Sequence, residues 1–226
     1  EINPEEGFIS VWNDGKGIPI QEKYDEKDEK SYWVPEFIFG HLLTSSNYDD
    51  SKKRTTGGRN GFGAKLANIY SKQFIVECYS RNPDEDTFCE YVQVFTDHMV
   101  NINPPKIKEV KNKKAKPSTM IKFYPDCALF DMENLDDDII ALFTKRVYDM
   151  AGCLKNCAVF LNGTKVQIKN FDEYCKKYLK PDLQSDFISQ EINDRWKIGI
   201  SSSDGVFSQV SFVNSVATTR GGTHVD

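Results

Sequence analysis

Residues Thr55–Lys65 read Thr-Thr-Gly-Gly-Arg-Asn-Gly-Phe-Gly-Ala-Lys, with four glycines in seven positions beside an arginine and a lysine. A backbone this bare can turn its N–H groups inward and let anionic oxygens approach closely. The residues that follow, with apolar Leu66, Ala67, Ile69 and Tyr70, predict a helix over Gly63–Ser71. A glycine turn that opens a helix offers an anion both unpaired N–H groups and the positive end of the helix dipole. The segment is therefore a candidate phosphate site, with a purely conformational turn as the alternative. It is not a P-loop, because Leu66 follows Lys65 where Ser or Thr is required. Nor is it a dinucleotide fingerprint, since the glycine order is reversed and no strand-like run precedes it.

Two further segments bear on that reading. Gly7–Trp12 is apolar and β-prone and predicts a strand, ended by Asn13-Asp14-Gly15-Lys16-Gly17-Ile18-Pro19. An amide at the end of a buried strand can hydrogen-bond a base edge, although Asp-Gly is also an ordinary hairpin signal. Pro35 predicts the start of a short helix, Glu36–Leu43, followed by Thr44-Ser45-Ser46-Asn47. That loop offers three hydroxyls and an amide, or is simply a polar helix end.

In order and spacing, Asn-x-Gly-x-Gly, Leu43-Thr-Ser-Ser-Asn-Tyr-Asp-Asp50 and Gly57-Gly-Arg-Asn-Gly-Phe-Gly-Ala-Lys65 resemble the ATPase region of eukaryotic-type DNA topoisomerases II. That family lies within the Bergerat-fold (GHKL) ATPases. Ile38–Gly40, Thr119–Asp126, Val159–Gly163, Phe212–Thr218 and Gly221–Asp226 fit the same resemblance, which runs from about Phe8 to Asp226. It implies an α+β fold: a Bergerat-type two-layer α/β sandwich with a mixed sheet over 1–182, then the start of an α+β transducer domain over 183–226. It implies ATP and Mg2+ as cofactors, and ATP-driven closure of a homodimeric gate that passes one double-stranded DNA through another in the nucleus.

Carried over residue by residue, the resemblance places Asn13 at the adenine end of ATP, with Gly15 and Gly17 passing beside the base. It places Ser45, Ser46 and Asn47 at ribose and phosphates. Gly58, Arg59, Asn60, Gly61, Phe62, Gly63, Ala64 and Lys65 would wrap the β- and γ-phosphates. The family's water-activating Glu and its Asn sit on a helix before the first strand. Glu1 lies only a few residues ahead of that strand, so the expectation is a fragment with no catalytic residue and no protein metal ligand, which binds ATP without turning it over unaided. Two rivals stand beside this reading: another Bergerat ATPase of mismatch-repair or gyrase-like type, and a nucleotide-independent DNA-binding or interaction module acting through the lysine-rich stretch 106–116.

The bulk numbers narrow the field. A formal charge of −5 opposes a surface built throughout to hold DNA. No run of 18 apolar residues suggests a membrane span. The six cysteines form no C-x-x-C pair, and only three histidines are present, so reduced thiols are expected rather than a zinc site.

Elsewhere, Gln21–Lys30 predicts a solvated charged loop and Tyr48–Arg59 a lid. Strands are expected at 74–79, 88–95 and 119–123, and a long helix at Leu135–Cys153. A hairpin over 158–166 follows from Asn162-Gly163. A short helix is expected at Phe171–Leu179 and a linker at Asp182–Ser189. The last strands, near 195–201 and 208–214, are expected to join through a turn at 202–205.

Overall fold

The structure is a computed structural model that describes residues 1–45, 47–49, 51, 56–83, 87–111 and 115–225. It divides into two compact units, 1–53 with 58–137, and 54–57 with 138–226.

The first unit begins with β1 (Ile2–Asn3) and β2 (Phe8–Asn13), then β3 (Glu22–Asp25) and β4 (Lys30–Trp33). Helices α1 (Val34–Gly40) and α2 (Phe62–Ile69) follow. They lead to β5 (Ser71–Asn82), β6 (Thr87–Thr96), β7 (Asn101–Ile102), β8 (Lys106–Glu109) and β9 (Ser118–Pro125). The main sheet runs β1-β2-β9-β5-β6-β7, with β8 also on β6. Its pairings are antiparallel.

Period-two burial explains why this sheet forms. Phe74, Val76 and Cys78 on β5 stand opposite Phe95, Gln93 and Tyr91 on β6, all on the covered face. That face carries Ile121 and Phe123 of β9 and is packed by α1 and α2. One polar chain crosses this core. Tyr91 Oη donates to Gln93 Oε1 at 2.6 Å, and Gln93 Nε2 donates to Glu36 Oε2 at 2.7 Å and to Asn103 O at 3.0 Å. The buried Tyr91 hydroxyl and Gln93 amide thus find partners where water cannot supply them. At Gly40 a Cβ would stand 2.8 Å from a Phe95 ring carbon, so glycine lets α1 lie close on the sheet.

One expectation is corrected here, and the lysine-rich stretch gains a strand. The charged stretch after residue 20 is not a loop but the hairpin β3–β4. Its strands pair Asp25 with Lys30 and Lys23 with Tyr32, and Lys23 Nζ stands 5.0 Å from the Phe37 ring centroid. The strands carry charge and polar groups in place of an apolar stripe, and the cation–π contact of Lys23 ties the hairpin to α1. Part of the lysine-rich stretch is likewise a strand, β8, with Ile107 opposite Tyr91. Lysines suit such a sheet edge because they discourage further strand pairing. Residues 112–114 of that stretch lie outside the described residues.

The second unit opens with α3 (Asp137–Cys153), then β10 (Phe160–Leu161), β11 (Thr164–Lys165) and α4 (Phe171–Lys176). Next come β12 (Ile188–Asn193), β13 (Trp196–Ile200), β14 (Phe212–Val213) and β15 (Val216–Ala217). Asn162 and Gly163, at φ 46° and 77°, make the β10–β11 turn as their residue types demand. Asn170 caps α4 by accepting from Glu173 N–H at 2.9 Å, while Glu173 accepts from Lys169 N–H at 2.9 Å.

The expected linker is instead a 3-10 turn, Pro181–Asp186, tied down by Ser201 Oγ to Leu183 O at 3.0 Å and Ser202 Oγ to Asp186 Oδ2 at 2.5 Å. The last strands do not join each other. β13 pairs back onto β12, and β14 pairs forward onto β15 through Asn214 and Ser215 at φ 50° and 65°. Local turn chemistry at 193–195 and 214–215 outcompetes the Ser-Asp-Gly turn.

Candidate functional site

Helix α2 starts at Gly61, which caps it in the left-handed conformation at φ 67°. The N–H groups of its first turn have no acceptor within the helix. Gly58 is also left-handed, at φ 81°, and a Cβ added at Gly58 or Gly63 would meet nothing within 4 Å. The glycines therefore line open space. Arg59, Asn60, Phe62 and Gly63 are exposed there, and Ala64 packs half-buried on the core.

Lys65 is the decisive residue. Its side chain turns inward, and the residue is 3% exposed. Burial holds its ammonium below the usual lysine range. No carboxylate among the described residues pairs with it. Its Nζ lies 3.2 Å from where a Gly61 Cβ would be, and Ser45 Cβ stands at the same distance on that side. Ser45 Oγ accepts from Asn47 N–H at 3.1 Å, and Asn47 Nδ2 donates to Gly58 O at 2.9 Å. The fold thus brings Ser45 and Asn47 against the Gly58–Lys65 turn, across more than ten residues of sequence. Ser46 lies outside the described residues, as do Asp50 and 52–55 of the expected lid.

This donor set fits a phosphate. It comprises helix N–H groups, a buried cation without a counter-charge, and a glycine wall that side chains would close. Among the described residues, no three His, Cys, Asp or Glu side chains converge to hold a metal.

The turn at the end of β2 is built on other neighbours. Asn13 stands opposite Thr119, which in turn stands opposite Cys78. Its Nδ2 donates to Thr119 O at 3.4 Å and its Oδ1 accepts from Gly15 N–H at 3.3 Å. Gly17, at φ 74°, presses on β5, where a Cβ would stand 2.9 Å from Ser80 Oγ and 3.1 Å from Pro117 Cβ. Glycine is required there on both counts.

The inward face of α2 departs from the apolar pattern that predicted it. Leu66 and Tyr70 are exposed, whereas Lys65 and Asn68 are buried. Asn68 was not foreseen. Its Nδ2 donates to Phe39 O at 3.1 Å, tying α2 to α1, and its Oδ1 has no partner among the described residues. A polar residue three positions after Lys65, on the same helix face, was the available signal. The first residues of the glycine stretch belong to the second unit. Thr56 O accepts from Asn214 Nδ2 at 3.3 Å, and a Cβ at Gly57 would stand 2.5 Å from Val216.

Comparison with known proteins decides the family. DNA topoisomerase 2 of Meyerozyma guilliermondii is 47% identical over 239 residues, covering 99% of this chain and 16% of the relative. The crystal structure of the ATPase region of Saccharomyces cerevisiae topoisomerase II superposes with a TM-score of 0.88 at 46% identity, covering 99% of this chain and 56% of that one. By sequence and by fold, this chain belongs with the ATPase region of DNA topoisomerase 2. The ATPase and transducer domains of DNA topoisomerase II from Balamuthia mandrillaris agree, with a TM-score of 0.86 at 42% identity, over 99% of this chain and 55% of that one. No family model matches the chain. The chain spans about a sixth of the curated topoisomerases it matches and a little over half of these solved ATPase regions. The α+β class expected from the sequence is the one observed. No described helix is long and apolar enough to cross a membrane.

Proposed function

We propose that this chain binds ATP for a type II DNA topoisomerase, and that the triphosphate tail lies against Gly58–Lys65. The observation that carries the reading is Lys65, buried at the mouth of α2 with no carboxylate among the described residues to neutralise it. A cation on a side chain this buried, with no carboxylate beside it among the described residues, is costly unless something completes it, and a phosphate does so. In this reading Arg59 adds charge at the tail, and Asn60, Phe62, Gly63 and Ala64 supply backbone. Ser45, Ser46 and Asn47 hold ribose and phosphates. Asn13 takes the adenine edge, since an amide both donates and accepts, and Gly15 and Gly17 let the chain pass the base. Mg2+ would neutralise phosphate oxygens.

For the whole protein the reading extends to ATP hydrolysis, closure of a homodimeric gate, passage of double-stranded DNA and action in the nucleus. The residues assigned here bind; none is assigned as the base that activates water. The domain assignment, 1–182 for nucleotide and 183–226 for the start of a transducer, is part of the same proposal. Limited proteolysis tests it, because a first cut near 137 would move the boundary to the division between compact units.

The central test is calorimetric titration with a non-hydrolysable ATP analogue. Lys65→Met is expected to weaken binding roughly tenfold to a hundredfold, as the loss of one charge-assisted contact does. Unchanged affinity would remove the phosphate assignment. Tight duplex DNA binding with no response to the analogue would favour the interaction-module reading instead.

A further inference from the structure

The C-terminal end of α2 is closed as thoroughly as its N-terminal end is open. Tyr70 N–H donates back to Leu66 O at 2.9 Å, Ser71 Oγ donates to Ala67 O at 2.6 Å, and Asp126 N–H donates to Tyr70 O at 2.9 Å. Ile69 O faces Nδ1 of His98 at 3.1 Å. The other ring nitrogen, Nε2, stands 3.4 Å from Asp126 Oδ2, and Lys72 Nζ stands 3.4 Å from Asp126 Oδ1. With a proton on Nδ1 the ring donates to Ile69 O, and its other nitrogen faces the Asp126 carboxylate, an ion pair when that nitrogen too carries a proton. The arrangement sets a histidine between a carboxylate and a helix carbonyl, joining the last turn of a helix to a sheet strand and its loop.

His98 reaches this position on an unusual backbone. Asp97, His98 and Met99 are successive non-glycine residues in the left-handed region, at φ 53°, 59° and 66°. L-residues adopt that conformation reluctantly, and a run of three persists only where the surroundings over-determine it. Here Asp97 N–H donates to Lys72 O at 3.0 Å and His98 N–H donates to Ser71 O at 3.2 Å. The turn is thus fastened to the start of β5, directly after α2.

The geometry points to a role. Ile69 lies four residues, one helical turn, after Lys65 on the same side of α2. Helix α2 has only eight residues, so a pin at one end sets the direction of the other. We propose that His98, backed by Asp126, is a positioning residue for phosphate binding. It holds α2 at the angle that presents Lys65 and the first-turn N–H groups to the phosphate tail. This inference rests on the phosphate reading given above.

The test uses this chain and two ligands, a non-hydrolysable ATP analogue and adenosine, with circular dichroism to confirm each variant's fold. His98→Ala is expected to lose roughly fivefold in affinity for the triphosphate, the worth of about one hydrogen bond. Its affinity for adenosine should not change. His98→Asn restores an N–H donor toward Ile69 O and should recover most of the loss. If His98→Ala unfolds the protein, Asp126→Asn takes its place and should show a smaller loss of the same phosphate-selective kind. A loss shared equally by both ligands would mean His98 merely supports the fold and would overturn the role, as would no loss, or no recovery with Asn. Lys65→Met separates the two failures. If it weakens triphosphate binding while His98→Ala leaves it unchanged, only the positioning role falls; if it leaves binding intact, the phosphate reading falls and this inference with it.

Discussion

Two buried charges in this chain are treated in opposite ways. Asp149 in α3 is 1% exposed and fully satisfied. It accepts from Tyr174 Oη at 2.6 Å, from Lys145 Nζ at 2.9 and 3.1 Å, and from Arg146 Nη1 at 3.0 Å. Tyr174 in turn shares a 2.7 Å hydrogen bond with Tyr178, and its ring covers Gly152, where a Cβ would stand 2.3 Å from the ring. Burial pushes the Asp149 carboxyl upward, but the hydrogen bonds and the two cations outweigh it, and the group stays below the usual carboxylate range. Lys65 is buried almost as deeply, and burial alone moves its ammonium. A completed network stabilises a fold. A buried charge left incomplete costs stability and persists where a ligand completes it.

The contrast makes measurable claims, and the largest concerns Asp149. Asp149→Asn places an amide N–H against two cations and is expected to cost about 3 kcal/mol in urea unfolding of the second unit. A loss under about 1 kcal/mol would show that the network is not a structural support. Acid should erase this difference. Because the folded-state carboxyl lies below its unfolded value of 3.8, its contribution is complete above 3.8 and is lost as pH falls through the folded value. The gap between parent and variant should therefore close below pH 3.8.

Lys65→Met should act in the opposite sense. Removing a desolvated ammonium that has no carboxylate partner among the described residues is expected to raise unliganded stability by about 1 kcal/mol, even as nucleotide binding weakens. A substantial drop in the urea midpoint would break the comparison, because Lys65 would then have a structural partner. Alkali sharpens the point. The folded ammonium titrates below its unfolded value of 10.5, so its penalty is full at neutral pH and relieved as pH rises through the folded value. The advantage of Lys65→Met should accordingly shrink toward pH 10.5.

Gly63→Ala is the mildest of these changes. Gly63 lies inside α2, outside the left-handed region, with open space at its Cβ position. Alanine there should stabilise the unliganded chain by about 0.5 kcal/mol, while its methyl crowds the face assigned to phosphate. Thermal melting and analogue titration on one sample separate the two effects, and equal affinity for parent and variant would place the phosphate elsewhere. Gly61→Val is a poorer probe, because at φ 67°, against Ser45, a side chain strains the backbone whether or not a phosphate binds.

Much of the fold could be read where physics is local. Alternating apolar residues at Phe74–Cys78 and Tyr91–Phe95 announced the central strands, and Asn162-Gly163 announced a turn. Hairpin β3–β4 was illegible because its strands, Glu22–Asp25 and Lys30–Trp33, are mostly charged or polar and carry no apolar stripe. The pairing of β12 with β13 was missed because several turns competed for the same strands. At the site, Asn13, Ser45, Asn47 and the glycines were named from their order along the chain. The inward turn of Lys65 and Asn68 was not, because Leu66 and Tyr70 mimic a core face that the fold leaves exposed.

By itself, the order of residues determined which backbone could bend at Gly58 and Gly61 and where a helix must begin, since glycine's freedom and helical periodicity act over a few neighbours. Only the tertiary structure decided that Lys65 would be buried, that Ser45 and Asn47 would close on Gly58 and Gly61, and that His98 would stopper the far end of α2. Those outcomes depend on which distant groups exclude water and which carbonyls lack a partner. Solvent exclusion arises from the assembled sheet and helices rather than from any one segment.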